Sequence, residues 1–215
     1  HEVARRKRSK AEPSDLDIAP LRRQKKPKFG GKTIEGIYRR IPRLIDSAVS
    51  AVHIFGESGT GKEVVAELFR YRLPAKVPLI TCNCAAIPPE LIESELFGHV
   101  KGAFTGAIKN KTGKIELASG GWLFLDEVGT LTPETQAKLL RALDNGEIQP
   151  VGAENIKKVS FKVLSATNED IPELVADGKF RQDFWQRIGE AKITLPPLRE
   201  RPEEIAEIAI SICKK

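Results

Sequence analysis

The segment Gly56-Glu57-Ser58-Gly59-Thr60-Gly61-Lys62 follows the apolar run Val52-His53-Ile54-Phe55 and opens a stretch of helical spacing reaching about Arg72. Glycines here let the backbone fold round an anion with its N–H groups pointing inward. The helix N-terminus adds a favourable dipole for phosphate, and Lys62 a point charge for β- and γ-phosphates. The plainer alternative is an ordinary glycine-rich turn, but a strand before and a helix after are the context a phosphate-binding loop requires. The residue after the lysine, usually a Ser or Thr whose hydroxyl binds Mg²⁺, is Glu63. That corner of the magnesium shell is left open, and residues 56–63 form the expected nucleotide-binding set.

A loop of this kind demands a parallel sheet, and the rest of the chain supplies one. Short apolar runs at 52–55, 79–82, 122–126, 161–166 and 191–195 read as five strands. Helical patterns cover 34–48, 61–72 and 133–144, the last with Pro133 in its first turn. Alternating strands and helices predict an α/β fold with both faces of the sheet covered. No internal repeat is present.

The strand Trp122-Leu123-Phe124-Leu125 ends in Asp126-Glu127. Beside a phosphate loop, two acids at a strand end read as the partner Walker B element. Asp126 is expected to hold Mg²⁺ directly or through water, and Glu127 to orient and polarise the attacking water.

Composition excludes several classes. Of 215 residues, 40% are hydrophobic and 30% charged, with no run near the roughly 20 apolar residues of a membrane helix. No apolar segment follows the charged N-terminus as in a secretory signal. Three cysteines, Cys82, Cys84 and Cys213, fit a reducing cytoplasm better than a disulfide framework. Cys82-Asn83-Cys84 has no second pair or nearby His to complete a metal site, and reads as small buried residues at a strand end. His53 reads as a core histidine and His99 as a solvated loop residue. Residues 1–32 carry eleven Lys/Arg against four Asp/Glu, leaving twenty-four against twenty-five elsewhere, so the net charge of +6 comes from the tail. Residues 1–28, with Arg5-Arg6-Lys7-Arg8 and three prolines, read as a flexible basic interdomain linker, or alternatively as a phosphate-neutralising clamp. The chain begins at His1 and contains no Met, which reads as an excerpt of a longer product.

Between the two nucleotide elements stands Glu95-Leu96-Phe97-Gly98-His99-Val100-Lys101-Gly102-Ala103-Phe104-Thr105-Gly106-Ala107. A Phe in a loop flanked by glycines suggests a mobile element with an apolar tip. The segment closely resembles the loop of the sigma-54-dependent transcription activators, the bacterial enhancer-binding proteins of the AAA+ class. There Gly102, Ala103, Phe104, Thr105, Gly106 and Ala107 would match the GAFTGA element that contacts sigma-54. The resemblance runs over roughly residues 30–212. It implies that Asn83 restrains Glu127 until a partner engages, that Asn168 senses the γ-phosphate, and that Arg181 and Arg187 are fingers reaching a neighbouring subunit's ATP. The alternative for these two arginines is surface salt bridging; their six-residue spacing does not put them on one helix face, which argues against a local pair. Phe184-Trp185 departs from the family's usual leucine- and tyrosine-rich version, and the segment before Val52 also departs.

The resemblance implies a P-loop AAA+ core over 29–197, followed at 198–215 by a hinge and the start of a lid that is largely absent. It implies an ATPase using ATP and Mg²⁺ in a ring of six or seven subunits. Such a ring remodels the closed promoter complex of sigma-54 RNA polymerase holoenzyme, in the cytoplasm, without a membrane. Enhancer DNA would be read by a C-terminal domain outside this chain. Two other classes remain open: an AAA+ remodeller of another client, which the loop around Phe104 discriminates, and a module that binds nucleotide without hydrolysing it.

Overall fold

The computed structural model describes residues 30–213; the basic 1–28 segment lies outside them. In chain order the elements are α1 (Lys32–Asp46), β1 (Ala51–Phe55), α2 (Lys62–Arg72), β2 (Leu79–Asn83), α3 (Pro89–Phe97), β3 (Gly98–His99), β4 (Lys111–Thr112), α4 (Lys114–Leu117) and β5 (Trp122–Asp126). They continue with α5 (Pro133–Asn145), β6 (Glu147–Ile148), β7 (Lys157–Lys158), β8 (Lys162–Thr167), α6 (Ile171–Ala176), α7 (Gln182–Ile188), β9 (Ala191–Thr194) and α8 (Ile205–Cys213).

Five strands form one parallel sheet in the order β2-β5-β8-β1-β9. The expected five-stranded parallel sheet is thus present, with strand bounds within one residue of those read from the sequence. Side chains alternate between the two faces. Val52, Ile54, Trp122, Phe124, Leu164, Ala166 and Ile193 pack with α1 and α2. Ala51, Leu123, Leu125 and Val163 pack with α3, α5 and α7 on the other face. Because both faces are covered, all five residues of β5 are buried, giving a continuous apolar run ended by acids.

The short helices α3, α4, α6 and α7 escape a periodicity reading because each is at most nine residues long. Helix α5 starts and stops as its sequence dictates. The Thr132 side chain accepts from the Thr135 N–H, Pro133 occupies the first turn, and Gly146 closes the helix in the left-handed region. Cys82 and Cys84 are both buried. His53 is a core histidine: its Nδ1 lies 2.9 Å from Ser165 Oγ across the β1–β8 ladder, and its ring meets Trp185 of α7 edge-on at 4.9 Å.

His99 departs from the solvated loop residue expected. It lies in β3, its Nδ1 is 2.7 Å from Ser94 Oγ, and its ring packs on Phe104 at 5.0 Å. The antiparallel pairing of β3 with β4 draws it against α3. Two further bonds, Val100 N–H to Val151 O (3.1 Å) and Val151 N–H to Gly98 O (2.9 Å), brace the base of the 102–107 loop.

Candidate nucleotide and hydrolysis site

In a parallel sheet every strand points the same way, so the loops leaving β1, β5 and β8 gather at one edge. Gly56 follows β1, Asp126 ends β5 and Asn168 follows β8. Since β8 lies between β5 and β1, Asn168 falls between the glycine loop and the acids.

The glycine loop is built for backbone exposure. Gly59 and Gly61 have φ of 78° and 101°, a region that favours glycine. A Cβ on Gly56 would lie 2.8 Å from Thr60 Oγ1 and 2.9 Å from Leu195 O, so only glycine fits there. Thr60 Oγ1 donates to Glu57 O at 2.8 Å and tightens the turn. Ser58 and Gly59 are exposed at its tip, and Gly61 precedes α2. Lys62 is buried, and its ammonium donates to Gly56 O (3.0 Å) and Glu57 O (3.4 Å). A buried ammonium held mainly by carbonyls is poised for a stronger anion.

Glu127 Oε1 lies 3.8 Å from Lys62 Nζ. Glu127 is also the one non-glycine residue with positive φ among the described residues (φ 51°, ψ 51°). Strained backbone of this kind is concentrated at functional sites. Asp126 is buried beside it and accepts the Glu127 N–H at 3.1 Å. Burial first, then repulsion from Glu127 and Glu63, lifts the Asp126 pKa above the ordinary carboxylate value; the Glu127 N–H and Lys62 pull the other way. Three carboxylates beside the single Lys62 ammonium leave a net negative charge, which a divalent cation would offset. Among the described residues no group of three or more His, Cys, Asp or Glu could hold a metal alone. Mg²⁺ takes one or two carboxylates and otherwise phosphate oxygens and water, so Asp126 is the residue here that could hold it. An open cleft of about 370 Å³ lined by Glu63, Glu67, Arg70, Asn83 and Asp126 adjoins the acids.

Asn83 pairs in register with Asp126 across β2 and β5. Its Oδ1 accepts the Ala86 N–H at 3.1 Å, so the side chain caps its own turn while Glu127 faces Lys62. Asn168 is exposed.

Both candidate finger arginines have acids within the chain, contrary to the spacing argument. Arg181 forms a two-pronged pair with Asp183 at 3.0 and 2.7 Å. It precedes α7 with extended backbone, so the helical spacing rule does not bind it. Arg187 pairs with Asp144 (2.9 Å), donates to Leu143 O (3.3 Å) and to Ser50 Oγ, and lies 3.8 Å from Glu190. Ser50 precedes β1 and Lys62 follows it, so Arg187 sits at the far edge of the sheet from its own phosphate loop.

Other contacts had no signal in the sequence. Arg199 grips the Glu57 carboxylate at 2.7 and 2.5 Å and holds its pKa below the usual carboxylate range. Arg201, buried, donates to Thr60 O (2.9 Å) and to Glu204 (3.1 Å), while Glu204 accepts the Thr33 N–H at the start of α1 (2.6 Å). Gln136 bonds to the backbone on both sides of Phe180. Each of these spans more than forty positions of chain except the Arg201–Glu204 pair.

The 102–107 loop is a compact turn. Gly102 N–H donates to Ala107 O (2.8 Å) and Ala107 N–H to Phe104 O (3.0 Å). Gly102 and Gly106 have φ of 86° and 101°. Ala103 is half-buried against Gly152, Ala107 is buried, and Phe104, Thr105 and Gly106 are exposed.

Comparison with known proteins agrees with this geometry. Residues 30–194 match the family model of the sigma-54 interaction domain. The chain is 45% identical over 198 residues to the Nif-specific regulatory protein of Azotobacter vinelandii, covering 88% of this chain and 38% of that protein. It is 51% identical over 175 residues to the putative uric acid sigma-54-dependent transcriptional regulator UacR of Escherichia coli, covering 79% of this chain and 29% of the relative. The structure of NtrX from Brucella abortus in complex with ATP superposes with a TM-score of 0.74 at 34% identity, covering 83% of this chain and 39% of NtrX. The chain therefore spans about a third of the length of the curated relatives it matches. With a parallel α/β core and a family match over most of its length, the chain belongs to the sigma-54 interaction domain family.

Proposed function

We propose that this chain is the ATP-hydrolysing core of a sigma-54-dependent activator, which couples hydrolysis to remodelling of the closed promoter complex. The observation that carries the reading is the 3.8 Å approach of Lys62 Nζ to Glu127 Oε1. It joins a phosphate-binding cation and a candidate general base at one point, at the open edge of the sheet.

Gly56, Glu57, Ser58, Gly59, Thr60, Gly61, Lys62 and Glu63 hold the triphosphate, with backbone N–H groups and the start of α2 facing its oxygens. Asp126 holds the magnesium ion. Bound there, Mg²⁺ would supply positive charge to offset that of the phosphates during hydrolysis. Lys62 turns from Glu127 to the phosphates, and Glu127 is released to accept a proton from water. Asn83 and Asn168 flank that position, Asn83 as restraint on Glu127 and Asn168 as sensor of the γ-phosphate.

Arg181 and Arg187 act on a neighbouring chain's nucleotide. Support comes from Arg187, anchored at Ser50 ahead of β1, while Lys62 lies beyond the strand's other end, about 17 Å away for five residues. Fingers in trans imply head-to-tail contacts between chains, closed here into a ring of six or seven copies. Gly102, Ala103, Phe104, Thr105, Gly106 and Ala107 form the surface that engages sigma-54 in RNA polymerase holoenzyme. The whole protein works in the cytoplasm and reads enhancer DNA through a domain outside this chain. Among the described residues no helix is long and apolar enough to cross a membrane.

ATP turnover per protomer, measured across a wide range of protein concentration, tests the reading. It should rise steeply as sites form between chains. Nucleotide binding with flat, near-zero turnover would support a non-hydrolysing module instead. In a second test, sigma-54 binding trapped with ADP–aluminium fluoride should be lost in Phe104→Ala. Failure of the unaltered chain to bind sigma-54 while another protein is captured would point to a different remodeller.

A further inference from the structure

Gln136 is fully buried in the first turns of α5, in the segment that follows Glu127. Its amide nitrogen donates to Leu131 O (2.7 Å) and to Lys179 O (3.1 Å). Its oxygen accepts the Arg181 N–H (2.8 Å). The partners fix the orientation of the amide, since a carbonyl only accepts and an N–H only donates. Both N–H donors and the oxygen are engaged, so the side chain has one arrangement.

Its partners lie in two functional segments. Leu131 ends the turn that starts at Glu127: Thr130 N–H (3.1 Å) and Thr130 Oγ1 (2.8 Å) both donate to Glu127 O, and Leu131 N–H donates to Val128 O (3.3 Å). Lys179 and Arg181 bracket the buried Phe180 just ahead of α7. The Arg181 guanidinium is exposed and, among the described residues, pairs only with Asp183, an interaction that fixes little in water. What holds the base of Arg181 in place is its backbone, and the Gln136 amide is the side chain that holds it.

We infer that Gln136 is a positioning residue for Arg181, fastening the arginine to the turn behind Glu127 in the same chain. The inference rests on the proposed action of Arg181 on a neighbouring nucleotide. A change at Glu127, when nucleotide binds or is hydrolysed, then reaches through Leu131 and Gln136 to the arginine which that chain lends to the next. Each site is thereby linked to its neighbour through one buried amide.

Subunit mixing with MgATP separates this role from a merely structural one. A Glu127→Gln chain has a dead site and a good finger; an Arg181→Ala chain has a good site and no finger. Mixed together, the two should recover at least ten-fold more turnover than either alone. If they do not, Arg181 does not act in trans, and both the reading and this inference fail. Gln136→Met, nearly isosteric, should recover turnover when mixed with Glu127→Gln, which lends it a finger. It should not recover with Arg181→Ala, to which it must lend its own. Equal recovery with both partners, or with neither, overturns the inference, as does wild-type turnover by Gln136→Met alone. Should Gln136→Met not fold, Gln136→Leu, which likewise has no acceptor for the Arg181 N–H, goes through the same arms. Hydrogen exchange reads the contact without a ring. In Gln136→Met the Arg181 amide should exchange at least ten-fold faster while β8 amides are unchanged; equal rates at Arg181 overturn the inference.

Discussion

Lys62 Nζ lies 3.8 Å from Glu127 Oε1, so the cation of the phosphate loop and the acid next to Asp126 face each other directly. The pair is largely shielded from solvent, with side-chain exposures of 8% and 27%, where opposite charges interact more strongly than in water. The triphosphate must compete with Glu127 for Lys62. Replacing Glu127 by Gln should therefore tighten ATP binding several-fold while lowering turnover by about 10²–10⁴, the usual contribution of a general base. Equilibrium binding and single-turnover hydrolysis on the same variant check both halves. Weaker binding in Glu127→Gln would mean that the pair does not oppose nucleotide.

Asp126 is a strained charge of a different kind. Its pKa is raised by burial and by repulsion from Glu127 and Glu63, so its ionisation costs the folded protein stability. The sign follows: a raised carboxylate pKa means the folded state holds its proton longer, and stability falls as pH rises from the unfolded to the folded pKa. Asp126→Asn should then raise the Tm of the nucleotide-free protein near neutral pH. The same change should abolish Mg²⁺-dependent turnover. Calorimetry with and without MgATP separates the two effects, because ligand stabilisation should vanish in the variant.

His53 supplies the opposite pH dependence. Burial, and then the nearby positive charge of Lys192, lower its pKa from 6.5 to about 4. As pH falls below 6.5 the unfolded chain takes up a proton that the folded chain refuses until about pH 4. Stability therefore falls across that window, with a slope from this residue of at most about 1.4 kcal/mol per pH unit, and is fully present above it. His53→Phe should flatten the urea-unfolding free energy between pH 4 and 6.5. An unchanged slope would place the titration elsewhere.

The buried Arg201–Glu204 pair links three segments: the phosphate loop through Thr60 O, the start of α1 through Thr33, and the segment after β9. Burial works against the Glu204 charge, but hydrogen bonds from Thr33 and Arg201 prevail and hold its pKa below the ordinary carboxylate value. Removing one partner of a buried pair strands the other charge, at a cost of about 3–5 kcal/mol. Arg201→Met should lose stability of that order and weaken nucleotide binding, since Thr60 O loses its anchor. The double change Arg201→Met with Glu204→Leu should recover much of the stability but not the affinity. Denaturant titration beside nucleotide titration gives both quantities.

Short-range patterns in the chain were enough to determine the strand–loop–helix at Gly56 to Lys62, the apolar strand ending in Asp126-Glu127, the five parallel strands and the loop around Phe104. Each depends on residues within about a dozen positions, where burial period, glycine geometry and turn chemistry act locally. Only the tertiary structure decided what those pieces meet. The order β2-β5-β8-β1-β9 brings Glu127 to Lys62, and no local signal gives that order. The left-handed backbone at Glu127, the edge-to-face contact of His99 with Phe104, and the acids beside Arg181 and Arg187 likewise come from packing or from turn geometry. The grip of Arg201 on Thr60 O and of Gln136 on the Arg181 N–H joins residues 141 and 45 positions apart. A buried polar group must find a partner wherever the fold places one, and the partner's position along the chain does not enter that requirement.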